Sequence, residues 1–123
     1  MATVLYDDDC GFCVWTMGKL LALDRDRALR PLALQDPAAG PLLGAMDELT
    51  RMGSWHFVDD DGRVTSGGRA FGPLLAHLPA GRALARLADR GYDAVAGRRS
   101  LWGRLISGPA KQRARDRIAE RQR

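Results

Sequence analysis

Cysteine, lysine and long hydrophobic runs are all scarce in this sequence. Two cysteines among 123 residues cannot build the dense disulfide framework of a small secreted domain. No apolar run approaches the roughly 20 residues that a membrane-spanning helix needs. The chain also lacks a basic start followed by an apolar stretch, the pattern of a secretory signal. We therefore expect a cytoplasmic protein with no stable membrane insertion.

The composition is typical of a folded domain. Hydrophobic residues make up 46% of the chain and charged residues 28%, the balance of an ordinary globular protein. A chain of 123 residues is long enough to bury a core without disulfides or metals. The excess of arginine over lysine, with abundant alanine, leucine and glycine, indicates a GC-rich bacterial coding sequence and carries no information on function.

Positive charge is concentrated at the C-terminus. Residues 98–123 hold nine basic and two acidic side chains, a net charge of +7, whereas residues 1–97 carry a net charge of −3. Within this segment, residues 111–123 contain one large aliphatic side chain, Ile118, among charged residues. This pattern predicts a solvated or frayed helix. We therefore predict one domain over residues 1–106 and a basic tail over residues 107–123.

Both cysteines belong to a single motif, Cys10-Gly11-Phe12-Cys13, directly after the strand-like Thr3–Tyr6 segment. Two thiols at this spacing are typical of a redox pair when the motif opens a helix. The unpaired N–H groups and the dipole at the helix start then favour the thiolate of the first cysteine. The motif predicts dithiol–disulfide exchange.

Three other interpretations of the cysteine pair remain open. A structural disulfide would close a loop of only four residues, which removes little chain entropy. A structural zinc site usually takes four ligands, and only His56 and His77 could supplement the two thiols, at spacings unlike those of zinc fingers. The cysteines could also be two unrelated core residues.

The order of predicted elements indicates a fold class. Hydrophobic patterns and turn residues predict strands at 3–6, 29–34, 55–58 and 63–66, and helices at 10–23, 41–49, 69–78, 81–89 and 92–106. Asp9 is the expected N-cap of the first helix, and Pro31 suits an edge strand. This order predicts an α/β, thioredoxin-like mixed sheet flanked by helices, with extra C-terminal helices and the redox motif at the C-terminal end of the first strand.

The segment from Val4 to Cys13 resembles the DCC family of predicted thiol-disulfide oxidoreductases, which is named for a DxxCxxC signature. Asp7, Cys10 and Cys13 supply that signature here. Less specific similarity continues in the blocks at 57–58, 61–63, 66–71 and 92–99. The resemblance implies a thioredoxin-like fold and disulfide chemistry.

Roles within the motif follow from the helix start. Cys10 is the expected nucleophile and the more exposed sulfur, and Cys13, one turn deeper, would resolve the mixed disulfide. Asp7 is a candidate proton acceptor for Cys13, or otherwise a capping and turn residue. Asp8 and Asp9 are expected to be solvated or capping. The negative charge of the three carboxylates opposes thiolate formation, and no cation within the motif offsets it. A reducing pair is therefore expected.

The site residues predicted for catalysis are thus Cys10, Cys13 and Asp7, with no metal and no cofactor. The partners expected are disulfide-containing protein or small thiol substrates and a thiol reductant. The alternative function is a non-catalytic thioredoxin-like binding module that docks acidic partners through its basic tail. The tail lacks interleaved aromatic residues and a reading motif, so nucleic acid is not favoured, and the oligomeric state is left open.

Overall fold

The sheet is built on the apolar strand at the start of the chain. In the computed structural model, which describes residues 1–78 and 98–122, strand β1 spans Ala2–Tyr6 and all of its side chains are buried. Neighbouring residues of a strand point to opposite faces. Val4 therefore enters the larger core cluster on one face of the sheet, and Leu5 enters the smaller cluster on the other.

Three further strands complete a mixed sheet in the order β2-β1-β3-β4. Strand β2 (Leu29–Ala33) pairs with β1 in parallel, and β3 (His56–Val58) pairs with β1 in the antiparallel sense. Strand β4 (Val64–Ser66) returns as the hairpin partner of β3. Pro31, which cannot donate a ladder hydrogen bond, lies in the edge strand β2, as its chemistry requires.

The connection between β2 and β3 differs from the prediction of one helix over 41–49. Two short helices form instead, α2 over Ala39–Leu43 and α3 over Glu48–Gly53. Gly44 separates them with a φ of 60°, a left-handed conformation that favours glycine. Asp47 then starts α3 by accepting a hydrogen bond from the Thr50 N–H at 2.7 Å.

The helix predicted over 69–78 is also shorter than expected. A 3-10 turn over Gly67–Ala70 leads into α4, which spans Phe71–Leu75. The helix predicted over 81–89 lies outside the described residues, as do residues 92–97 of the one predicted over 92–106. The end of the latter is observed as α5, Arg99–Leu105.

The prediction of a solvated or frayed helix near the C-terminus is wrong, because this segment packs against the core. Residues Gly108–Gln122 form helix α6, and its side chains Ala114 and Ile118 are buried in the larger core cluster. The contact is close because Gly18 of helix α1 (Gly11–Leu23) has no side chain: a β-carbon there would lie 2.6 Å from the Ala114 Cβ. Small residues at the crossing, rather than a wide apolar face, let this polar helix pack.

A buried ion pair fixes the C-terminal end of α6. Asp24, only 2% exposed, caps the end of α1 and accepts the N–H groups of Ala28 and Leu29 at 3.0 Å each. Arg121 pairs with the Asp24 carboxylate and also donates to the carbonyl oxygens of Leu21, Asp24 and Leu29. A buried carboxylate is tolerated when it is paired and hydrogen-bonded in this way. The domain boundary at 106/107 stays a prediction that truncation tests.

The architecture confirms the predicted class. A mixed four-stranded sheet lies between flanking helices, and further helices follow at the C-terminus, as in the α/β thioredoxin-like fold. In the described part of the chain, no helix combines the length and the apolar character needed to cross a membrane.

Candidate active site

The cysteine motif lies at the carboxyl end of β1, where the central strand turns into α1. Helix α1 begins at Gly11, and Cys10 rather than the predicted Asp9 is its N-cap, with extended backbone at φ −96° and ψ 109°. The Cys10 Sγ accepts a hydrogen bond from the Cys13 N–H at 3.3 Å. A sulfur thus takes the place that a serine or aspartate oxygen usually takes at a helix start.

The two thiols are in direct contact. Cys10 and Cys13 are not disulfide-bonded, and their Sγ atoms lie 2.6 Å apart, with the Cys13 thiol donating towards Cys10. A disulfide bond is about 2.0 Å long. Oxidation of this pair therefore needs a small change in sulfur position and no rearrangement of the helix.

Hydrogen bonding distinguishes the two sulfurs. Both cysteines are half-buried, and the greater exposure expected of Cys10 stays a prediction. The Cys10 Sγ, however, accepts from both the N–H and the thiol of Cys13. Donors directed at one sulfur stabilise negative charge on it. The Cys10 sulfur is thus the acceptor in both contacts that join the two residues.

A glutamine that the sequence analysis missed holds the aspartate turn. Asp7 Oδ1 accepts the Asp9 N–H at 3.0 Å and the Gln35 Nε2 at 2.7 Å. The Gln35 Oε1 in turn accepts the Asp8 N–H at 3.1 Å. Gln35 closely follows β2, and the carboxyl ends of parallel strands meet at one edge of a sheet. That rule is the signal by which it could have been found.

The C-terminal helices cover the motif. A β-carbon on Gly103 of α5 would lie 3.3 Å from the Phe12 backbone nitrogen. From α6, the side chain of Lys111 lies across Gly11, with its Nζ 3.1 Å from the place a β-carbon there would take. The motif therefore has a cation beside it, although none lies within it in sequence.

A second cation compensates one of the three carboxylates. Arg115 of α6 forms an ion pair with Asp8, with 3.2 Å between Nη1 and Oδ1. The same two residues act on Tyr6, which is 5% exposed: burial raises the pKa of Tyr6 to about 12, the Asp8 carboxylate adds to the increase, and Arg115 opposes it. Because of this high pKa, the phenol stays neutral between pH 6 and 9 and does not act as a base there.

The histidines have structural partners. His56 is fully buried, with Nδ1 2.6 Å from the Ser66 hydroxyl and Nε2 2.8 Å from the Arg51 carbonyl oxygen. The Nδ1 of His77 lies 2.9 Å from the Pro73 carbonyl oxygen. Across the residues that the structure describes, no group of three or more histidine, cysteine or acidic side chains is arranged to hold a metal ion.

Comparison with known proteins agrees with this site. The model of the family described as DCC1-like thiol-disulfide oxidoreductase matches residues 4–105 of the chain. The match begins within β1, includes Cys10 and Cys13, ends with α5 and leaves α6 outside. No curated protein and no solved structure matches the chain.

Proposed function

This chain belongs to the DCC1-like thiol-disulfide oxidoreductase family, and we propose on that basis that Cys10 and Cys13 exchange disulfides with protein or small thiol substrates. One observation carries the proposal: Cys10 caps α1 with the Cys13 sulfur 2.6 Å away. This placement supplies a stabilised thiolate and a second thiol within bonding reach.

The reaction proceeds in two exchange steps. The Cys10 thiolate attacks one sulfur of a substrate disulfide, so that a mixed disulfide forms and the other substrate sulfur leaves as a thiolate that takes up a proton. Cys13, having lost its proton, then attacks the Cys10 Sγ. The Cys10–Cys13 disulfide forms and the second substrate thiol is released. The substrate gains two electrons and two protons, and an external thiol reductant restores the dithiol.

The binding-module alternative is weakened by how the basic helix uses its charge. Of the five basic side chains in α6, four are directed at the body of the protein. Lys111 lies on Gly11, and the other three bind oxygen atoms of the body: Arg115, Arg117 and Arg121. These contacts direct four basic side chains of the helix towards the body of the protein, which disfavours their use in docking an acidic partner. A reducing bacterial cytoplasm, the compartment expected from the sequence, would keep the cysteine pair in its dithiol form.

Equilibration with glutathione tests the proposed function. The protein is incubated in buffers of graded reduced and oxidised glutathione, quenched with an alkylating agent, and analysed by mass spectrometry. The dithiol form gains two alkyl groups, whereas the disulfide form gains none. We expect a reversible two-electron transition nearer to the thioredoxin potential of about −270 mV than to the about −120 mV of a strong oxidant. A cysteine pair that remains fully reduced in every buffer, or oxidises irreversibly, would contradict the proposal.

Replacing Asp7 by asparagine is expected to slow exchange more than it lowers stability. Asparagine keeps an Oδ1 that can accept from Asp9 and Gln35, as Asp7 does now, but it cannot take the Cys13 proton. Losing such a proton acceptor should lower the rate by about tenfold or more. Exchange rates at pH 6–9 and the melting temperature are measured for both proteins. Asp9→Asn, an exposed change of the same charge, is the control.

Asp7 would be a turn residue only if Asp7→Asn left the exchange rates unchanged over this pH range and lowered the melting temperature. An equal slowing in Asp9→Asn would attribute the effect to net charge rather than to a proton acceptor at position 7.

A further inference from the structure

One cation beside the motif has no carboxylate partner. Lys111 forms no ion pair within the described ranges, whereas Arg115 is paired with Asp8 and Arg121 with Asp24. Its Nζ and Cε would lie 3.1 Å and 2.9 Å from a β-carbon on Gly11, the residue that follows the N-cap cysteine. The ammonium group therefore lies at the start of α1, against the residue that follows Cys10.

We propose that Lys111 is a positioning residue for the redox pair, whose ammonium group stabilises the Cys10 thiolate from helix α6. An unpaired cation next to a thiolate lowers the free energy of the charged form. The inference rests on the proposed function, because it concerns the same dithiol. It also gives the basic C-terminal segment a role in the chemistry of a motif at the other end of the chain.

The other charged groups near Cys10 do not supply this effect. Asp7, Asp8 and Asp9 of the preceding turn carry negative charge and oppose the thiolate. Arg115 of α6 is compensated by Asp8.

The remaining neighbours carry no charge at neutral pH. Helix α5 approaches the motif through Gly103, and β2 contributes the neutral Gln35 at the aspartate turn. From β1 comes Tyr6, which its high pKa keeps neutral. Lys111 is thus the one uncompensated cation that the described elements bring to the motif.

A side chain at position 11 would displace the end of Lys111. Any side chain at that position would meet the Lys111 stem at less than a normal carbon–carbon distance, since the Cε would be only 2.9 Å away. The atoms that it would meet belong to the flexible end of Lys111, which can move aside. A Gly11→Ala variant should therefore displace the ammonium group without removing its charge from the protein.

The experiment measures how fast iodoacetamide alkylates the reduced protein between pH 5 and 10. In Lys111→Gln we expect the midpoint of the rate profile to move up by about 0.5–1 pH unit, which lowers the rate at pH 7 about 3- to 10-fold. Lys111→Arg should keep the midpoint of the unmodified protein. Lys19→Gln is the matched control, because Lys19 is the other lysine of the chain and lies over the Trp15 ring instead, 5.7 Å from its centroid.

Gly11→Ala is expected to move the midpoint in the same direction, and to add nothing in a protein that already carries Lys111→Gln. The shift should shrink at 1 M salt, where the screening length falls to about 3 Å. A Lys111→Gln profile that superimposes on that of the unmodified protein would overturn the proposal. So would a Lys111→Arg profile that shifts as far as that of Lys111→Gln, because charge would then not be the cause.

Alkylation requires no disulfide substrate, so the two proposals can fail separately. A shifted midpoint in a protein that does not equilibrate with glutathione would refute the oxidoreductase function and leave the assignment of Lys111 intact. Normal equilibration with an unshifted midpoint would refute the assignment of Lys111 alone.

Discussion

Replacing Cys10 by serine is expected to abolish disulfide exchange, with a loss of at least about a thousandfold, because the attacking sulfur is removed and the remaining thiol has no second thiol with which to complete the intramolecular disulfide. Serine can still accept the Cys13 N–H at the helix N-cap, so α1 should begin at the same residue and the melting temperature should change little. Reduction of a model disulfide by the variant and by the unmodified protein, each with its melting curve, provides the measurement.

The Cys13→Ser variant is the matched partner of this experiment. It retains the attacking sulfur and lacks the resolving one, so it should accumulate mixed disulfides that mass spectrometry detects as adducts on Cys10. If instead Cys13 is the thiol that alkylates faster in the unmodified protein, the roles of the two cysteines are reversed. The hydrogen bonds that converge on the Cys10 sulfur would then not determine reactivity.

Removing residues 108–123 is expected to lower the melting temperature by more than about 10 °C, or to prevent folding. The deletion exposes the core that Ala114 and Ile118 cover and leaves the buried Asp24 without Arg121. Loss of one partner from a buried ion pair alone costs about 3–5 kcal/mol, and each kcal/mol lowers the melting temperature of a domain of this size by several degrees, about 3–6 °C. Thermal unfolding followed by circular dichroism measures the change.

Point variants in the full chain show whether the packing of α6, and not merely the removal of sixteen residues, stabilises the protein. Ile118→Ala removes most of a side chain that is 5% exposed and should destabilise the protein by about 2–4 kcal/mol. Arg113→Ala, at an exposed position of the same helix, should be close to neutral. A truncated protein that melts at the temperature of the full chain would mean that α6 does not stabilise the domain and would support the predicted boundary at residue 106.

Local pattern in the sequence predicted most of the sheet. The buried β1, the edge position of Pro31 and the β3–β4 hairpin depend on neighbouring residues, so they can be inferred from short segments. Helix α6 could not be inferred in this way. Its packing depends on Gly18 meeting Ala114, two small residues far apart in sequence whose contact no hydrophobic periodicity reveals.

The residues of the candidate site also differ in whether local sequence pattern or contacts between distant segments reveal them. Cys10 and Cys13 could be predicted because their chemistry depends on a four-residue spacing at a helix start. Gln35 could be found only by combining its position after β2 with the parallel pairing of β2 and β1. Lys111 could not be found, because only the packing of α6 brings it to the motif. Asp24 was not singled out either, since a buried carboxylate is unremarkable in sequence until Arg121 is known to pair with it.

The pairing of Asp8 with Arg115, across 107 positions of the chain, has a consequence for protein synthesis. While the ribosome is still translating, the thiols are already outside the exit tunnel but the helix that carries Arg115 and Lys111 has not yet been made. Translation adds about 5–20 residues per second, so the nascent chain spends several seconds with the cysteine pair and without its cations. Premature termination would leave that state permanent. Completion of the chain therefore determines when the dithiol acquires its final electrostatic environment.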